Sequence, residues 1–470
     1  MKYIALTIGP IIETLSLGRK TAEIWAASYL FSSFMKSVID DIRKLDVAFI
    51  IPHVEESLFK GKDNGIGLFH DRFILRTKSV TLQQIHDIVQ RHKNDLAKMI
   101  AKSIKKDEQK VQAYLGQYLQ TYLIEAEEDF ANPILDISRI LDSVELHTPF
   151  VESDEDYMRL FLNRNTILHS NMAKNAFEGK VSFPSIPEIA SKALGKTSTK
   201  EDEDFYEELQ KDEAFKQSYK YIAIVHADGD NLRTYIKNQN DPSAISQRLF
   251  DFDKKAVAEI EKYGATPIFA GGDDLLFFAP VLTKNETIFD LLDRLNELFR
   301  QTLQSNNTTL SFGLSITYYK YPLYEALENS RYALFQKAKN YPNQENPTKN
   351  AIHISARKHS GQAFEVTVSK EEASYQSFRA LLRDVLVNNL ELPHAIQHKL
   401  ESYKPLFLNT PPERLEATFE NIFNEEIHKE KFEKGLKEVQ KLMIDTGIDT
   451  EGLQKLFSLL SIIKLLRSDR

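Results

Sequence analysis

Residues 221–231 read YIAIVHADGDN, and residues 266–280 read TPIFAGGDDLLFFAP. The first stretch is an apolar, β-branched run that ends in two aspartates. The second is a pair of short apolar runs joined at Gly271-Gly272, which predicts a hairpin. Residues 243–263 between them carry apolar side chains at helical spacing. Strand, helix and hairpin in this order fit a ferredoxin-like sheet, in which the first strand can lie beside the hairpin. Asp228, just past the strand predicted over 221–226, would then meet Asp273 and Asp274 at one sheet edge. Asp230 belongs to the same set.

The pattern continues outward. A helix over 287–303, with Asn285 as its cap, leads to a strand over 309–318. A helix over 322–338 opens with proline, as a first turn allows, and a strand over 351–355 closes the unit. The N-terminal part repeats this order: strand 3–8, helix 21–44, strands 46–51 and 72–76, helix 80–103 and strand 118–124. The expected fold is therefore α+β, with two ferredoxin-like βαββαβ units at 1–130 and 216–365. Residues 131–215 read as a helical and loop linker that includes the acidic segment 201–213. Residues 366–470 read as a helical domain.

The chain has 470 residues, 42% of them hydrophobic and 27% charged, with a net charge of −8. Such a chain can bury several cores, and its acidic balance argues against a basic nucleic-acid coat. Cysteine is absent, which excludes disulfides, a thiol nucleophile and Cys-based metal sites and fits a cytoplasmic protein. No apolar run approaches the roughly 20 residues of a membrane helix, and the apolar N-terminus reads as a buried strand.

Asp228, Asp230, Asp273 and Asp274 have no His or Cys beside them except His226. Hard oxygen donors of this kind suit Mg²⁺ or Mn²⁺ and disfavour Zn²⁺. Crowded carboxylates repel, so a cation is their natural complement. Two such ions can activate a 3′-hydroxyl and stabilise leaving pyrophosphate. Gly271 and Gly272 keep side chains away where a triphosphate or base approaches the backbone. An ordinary Gly-Gly hairpin with exposed acids is the alternative for GGDD alone; the strand ending in ADGD weighs against it. Asn231 fits either a substrate contact or a cap of the next turn.

These motifs resemble the large polymerase/cyclase subunit of type III CRISPR effector complexes, a family with paired palm domains. The resemblance rests on IGPIIETLSLGRKTAEIWAASYLFSSFM (8–35), FPSIPEIA (183–190), HADGDN (226–231), AGGDD (270–274), SFGLSITYYKYPLYEALENSRYALFQKAKN (311–340) and RKHSGQ (357–362). GRKTAEIWAASYL points to the type III-B branch. The resemblance implies that Asp228, Asp273 and Asp274 hold catalytic metal in the second palm. It implies a nucleotide pocket between the palms, with Arg19, Lys20 and Ser28 as first-palm candidates and Lys339 as a triphosphate contact. An ordinary helix-start surface and helix-end charge compensation are the other readings of these basic residues.

By the same resemblance, the chain would make cyclic oligoadenylate from ATP when target RNA binds. Its partners would be the other type III-B subunits, guide RNA and target RNA, with no membrane. Two alternatives share the evidence: transfer of AMP from ATP to S-adenosylmethionine, and a silent scaffold that holds RNA. Family members often begin with an HD nuclease domain, and the chain is expected to lack it. His70-Asp71 and His86-Asp87 do not resemble that nuclease's metal set. The family's zinc site is expected to be missing too, and Leu232-Arg233 stand where Gly often follows ADGDN.

Overall fold

The computed structural model describes residues 1–60, 65–127, 130–147, 149–177, 183–192, 209, 211, 220–239, 241–341, 349–427 and 429–467. Most of the acidic segment 201–213 and the start of the GKDNGIG loop lie outside them. The first sheet comprises β1 (Lys2–Gly9), β2 (Val47–Ile51), β3 (Arg72–Thr77) and β4 (Gln120–Ala126) in the order β2-β3-β1-β4. All its pairings are antiparallel. Helices α1 (Ile11–Leu17) and α2 (Thr21–Ile42) follow β1, and the helix Leu82–Ile104 follows β3.

The second sheet contains β5 (Tyr221–Asp230), β6 (Thr266–Gly271), β7 (Asp274–Pro280), β8 (Thr309–Tyr318), β9 (Ala351–Arg357) and β10 (Ala363–Ser369). Their order is β10-β9-β8-β5-β7-β6. The four strands β8-β5-β7-β6 repeat the first sheet's arrangement, so both ferredoxin-like units are present. The chain is α+β.

Period-two alternation explains why β5 and β7 are apolar throughout. Ala223, Val225, Ala227, Leu275 and Phe277 enter a core with the helices Pro242–Tyr263 and Ile288–Leu303. Ile222, Ile224, Leu276 and Phe278 enter another core with the first palm's Ile24, Leu30 and Met35. The second sheet is therefore packed between its own helices and α2. Trp25, fully buried, lies in that contact and donates from Nε1 to the Gly65 carbonyl at 2.6 Å.

Four local features depart from the sequence reading. β5 extends through Asp230, so Asp228 lies within the strand. The cap of the helix Ile288–Leu303 is Thr287, not Asn285: Asp290 accepts from Thr287 N at 2.8 Å and from its hydroxyl at 3.0 Å. The helix expected over 322–338 divides into Leu323–Tyr332 and a π turn, Ala333–Ala338. β10 runs across the boundary expected at residue 365 and pairs antiparallel with β9. Its AFEVTVS sequence alternates, burying Val366 and Val368 on one face. The RKHSGQ segment forms the β9–β10 turn, where Gly361 has φ +90° and Lys358 N donates to Gln362 O at 2.8 Å.

Candidate active site

Antiparallel register assembles the carboxylates. Ala227 pairs with Leu275, so the next residues, Asp228 and Asp274, stand opposite each other. Their carboxyls are close enough to perturb each other. Gly271 pairs with Asp274 across the hairpin, leaving Gly272 and Asp273 as the turn. Gly272 has φ +74°, a conformation that strongly favours glycine in a two-residue hairpin. Asp273 folds over β5: a Cβ at Gly229 would lie 2.6 Å from Asp273 Oδ2. The glycine of ADGD is therefore a steric requirement of the site.

Electrostatics follow from this crowding. Burial, then the charge of Asp228, push the Asp273 carboxyl up to about 7, although Lys339 pulls the other way. The protein surroundings, then the charges of Asp273 and Asp228, raise Asp274 well above the usual carboxylate range. Among the described residues, no three Asp, Glu or His side chains stand as a ready-made metal cage. Instead, the Lys339 ammonium lies against the Asp228 carboxylate. An all-oxygen donor set with mutually repelling carboxylates fits Mg²⁺ or Mn²⁺.

The other predicted residues are placed differently. Asp230 is 1% exposed and accepts from Thr309 Oγ1 at 3.0 Å, Ser311 Oγ at 2.7 Å and Asn350 N at 3.1 Å. Lys339 donates to Asp230 Oδ1 at 3.0 Å, to Asp228 O at 2.9 Å and to Gly229 O at 2.6 Å. Burial alone would lower the Lys339 pKa, but Asp228 and Asp230 outweigh it and raise it. Asn231 has φ +59° and donates from Nδ2 to the Asn307 carbonyl at 3.1 Å. Its side chain makes no cap hydrogen bond. A Cβ at Gly271 would fall 2.4 Å from the Phe269 ring.

A cavity of about 250 Å³ lies between the palms and reaches Asp274. Ser28 lines it, as do His70, Asp71 and His226. Arg19 and Lys20 are not among the described lining residues. Arg19 donates to the carbonyls of Ser16 and Gly18, and its guanidinium lies 4.4 Å from the Tyr324 ring centre, tying α2's start to the second palm. Burial, then the Arg72 charge, push His70 down to about 4; burial, then Arg331, push His226 down to about 3. Both imidazoles are therefore neutral near pH 7.

Sequence reading missed Asp253. It is fully buried on the helix Pro242–Tyr263, and its Oδ2 accepts from Gly272 N at 2.8 Å. Burial raises its carboxyl well above the ordinary range. An aspartate among the core residues Phe250, Phe252, Ala256 and Val257 was the available signal, since buried acids need a partner.

Two ferredoxin-like palms, one with a GGDD hairpin facing a cavity shared with the other, define a paired-palm protein. The family description "Cas10/Cmr2, second palm domain" matches residues 221–352, and "CRISPR-associated protein Cmr2, N-terminal" matches residues 3–113. The chain belongs to this Cas10/Cmr2 family. It is 32% identical over 170 residues to the CRISPR system Cmr subunit Cmr2 of Pyrococcus furiosus, a match spanning 30% of this chain and only 19% of that relative.

Structures of the type III-B Cmr-beta complex, apo and bound to cognate target RNA, share the fold with TM-scores of 0.59 and 0.56. Identity is 12%, covering 92% of this chain and 77% and 78% of theirs. A Csm1–Csm4 cassette in complex with cA4 matches with TM-score 0.53 and 12% identity, covering 97% of this chain and 70% of that one.

Proposed function

We propose that this chain is the nucleotidyltransferase subunit of a type III-B CRISPR effector complex, making cyclic oligoadenylate from ATP when target RNA is bound. Its partners are the other complex subunits, guide RNA and target RNA, in the cytoplasm. The observation that carries the reading is the contact of Asp228 with Asp274, beside Asp273, where the second palm meets a cavity walled by both palms. The cA4-bound structure of similar fold supports a cyclic oligoadenylate product.

Asp228, Asp273 and Asp274 would hold Mg²⁺ or Mn²⁺, which supplies positive charge for a triphosphate and acidity for an attacking hydroxyl. The protein's own part is positional. Asp253 fixes the turn through Gly272 N. Gly229 lets Asp273 close over β5. Lys339 balances the acidic edge. The apolar cavity wall excludes water from a bound base.

The test is mass spectrometry of the assembled complex with ATP and Mg²⁺ or Mn²⁺, with and without matching RNA and S-adenosylmethionine. RNA-dependent cyclic oligoadenylate is expected, and Asp273→Asn with Asp274→Asn should abolish it while the complex still assembles. An AMP–S-adenosylmethionine adduct would change the acceptor. No product from an intact, target-bound complex would overturn the enzymatic reading.

A further inference from the structure

In both palms the first strand pairs antiparallel with the third. In the second palm, Ala227 pairs with Leu275, and Asp228 faces Asp274 one step on. In the first, Thr7 pairs with Arg72, and one step on Ile8 N donates to Asp71 O at 2.8 Å. Ile8 faces its own palm's helices, as Ala227 does in the second palm, so Gly9 stands where Asp228 does, and His70-Asp71 lie just before β3 at the same edge. The first palm has lost the strand carboxylate but keeps one acid at its hairpin.

Both hairpins open on the same space. His70, Asp71 and Asp274 line the interpalm cavity together. The His70 ring packs onto the GGDD turn so tightly that a Cβ at Gly272 would lie 2.4 Å from its Cε1. Asp71 and Asp274 sense each other electrostatically. The Asp71 side chain is 35% exposed, and its ion-pair contact with Arg72 is long, at 3.8 Å. Arg72 gives its stronger contacts to Asp142 at 2.9 Å and Glu145 at 3.0 Å. Asp71 thus retains acceptor capacity toward the cavity. Phe31, Phe69, Phe269 and Leu276 surround that space with apolar surface. Apolar walls bordered by the carboxylates of Asp71, Asp274 and Glu328 suit a nucleoside: the base meets the walls, and a ribose hydroxyl donates to an acid.

We infer that Asp71, seated by the contact of His70 with the GGDD turn, accepts a hydrogen bond from the 2′-hydroxyl of the acceptor nucleotide and turns its 3′-oxygen toward the second palm. This inference rests on the nucleotidyltransferase reading. Asp71 is a substrate-positioning group and forms no bond in the transfer. The acceptor 3′-oxygen bonds to the α-phosphorus of ATP, the bond from that phosphorus to pyrophosphate breaks, and the hydroxyl proton passes to water.

The test compares ATP with 2′-deoxy-ATP in the RNA-activated complex, for wild type, Asp71→Ala and Asp71→Asn. A hydrogen bond to a charged group is worth about 10- to 100-fold. Wild type should prefer ATP by roughly that factor. Asp71→Ala should slow ATP turnover by about the same factor, barely change 2′-deoxy-ATP turnover, and bring the ratio within about threefold. Asp71→Asn, which keeps the side chain's size and a neutral acceptor, should lose part of the ATP preference, and that partial loss is the reading if Asp71→Ala fails to assemble. An unchanged ATP preference in the variants, or none in wild type, overturns the inference. If that happens while Asp273→Asn with Asp274→Asn abolishes product, the enzymatic reading survives alone. If the latter double variant keeps making product, both fall.

Discussion

The Lys339 ammonium lies 3.0 Å from Oδ1 of Asp230, a buried carboxylate at the end of the strand that carries Asp228. The lysine reaches it from the end of a π turn, and the aspartate from the last position of β5. Thr309, Ser311 and Asn350 N satisfy the other oxygen. Lys339 thereby couples β5, β8 and the start of β9 to the site. Removing one partner of a buried ion pair leaves an uncompensated charge, at a cost of about 3–5 kcal/mol. Lys339→Met should lose stability of that order in chemical denaturation. Adding Asp230→Asn should restore part of it, giving a clear coupling energy in a double-mutant cycle.

Asp273→Asn with Asp274→Asn removes like charges held close together. Nucleotide product should fall by at least about 100-fold, as expected when groups that stabilise transferring charge are lost. The denaturation midpoint of the isolated chain should hold or rise, because the burial and then the mutual repulsion that raise both carboxyls no longer act on a charge.

Asp253→Asn keeps an acceptor for Gly272 N, whereas Asp253→Leu does not. The Asn variant should retain most activity. The Leu variant should lose about tenfold or more in kcat, with little change in KM for ATP, because turn geometry affects the reacting centre more than ground-state binding. Equal loss in both variants would contradict a role through the Gly272 contact.

Gly313 lies where the helix end crosses β8. A Cβ there would sit 2.2 Å from the Ser330 carbonyl oxygen and 2.3 Å from Leu334 N. These are backbone atoms and cannot swing aside, so Gly313→Ala should cost about 3 kcal/mol or more by overpacking. It should also lower nucleotide output, since the π turn that carries Lys339 must shift. Thermal unfolding and the product assay read the two effects separately.

Lys93, in the first palm, donates to the Gly116 carbonyl at 3.0 Å and the Leu119 carbonyl at 2.6 Å, and burial pushes it down to about 8. Its ordinary value is about 10.4. Between pH 8 and that value the unfolded chain therefore binds more protons at this site, so this contribution to stability rises with pH. The slope is at most about 1.4 kcal/mol per pH unit. Lys93→Met should lack this increment when denaturation midpoints at pH 8 and pH 10 are compared with wild type.

The sequence by itself determined the two βαββαβ units and the pairing of the ADGD strand with the GGDD hairpin. These depend on local signals: period-two and helical spacing, and glycine where a turn or close approach excludes a side chain. The alternation in 363–369 was equally local, and β10 was legible in it. Tertiary structure alone decided that Lys339 is engaged by Asp228 and Asp230, that Asp253 holds the turn, and that Asp71 shares a cavity with Asp274. Each of these joins elements whose approach is set by packing one sheet between its own helices and α2. Spacing along a chain records the faces of an element, but not which distant face it will meet.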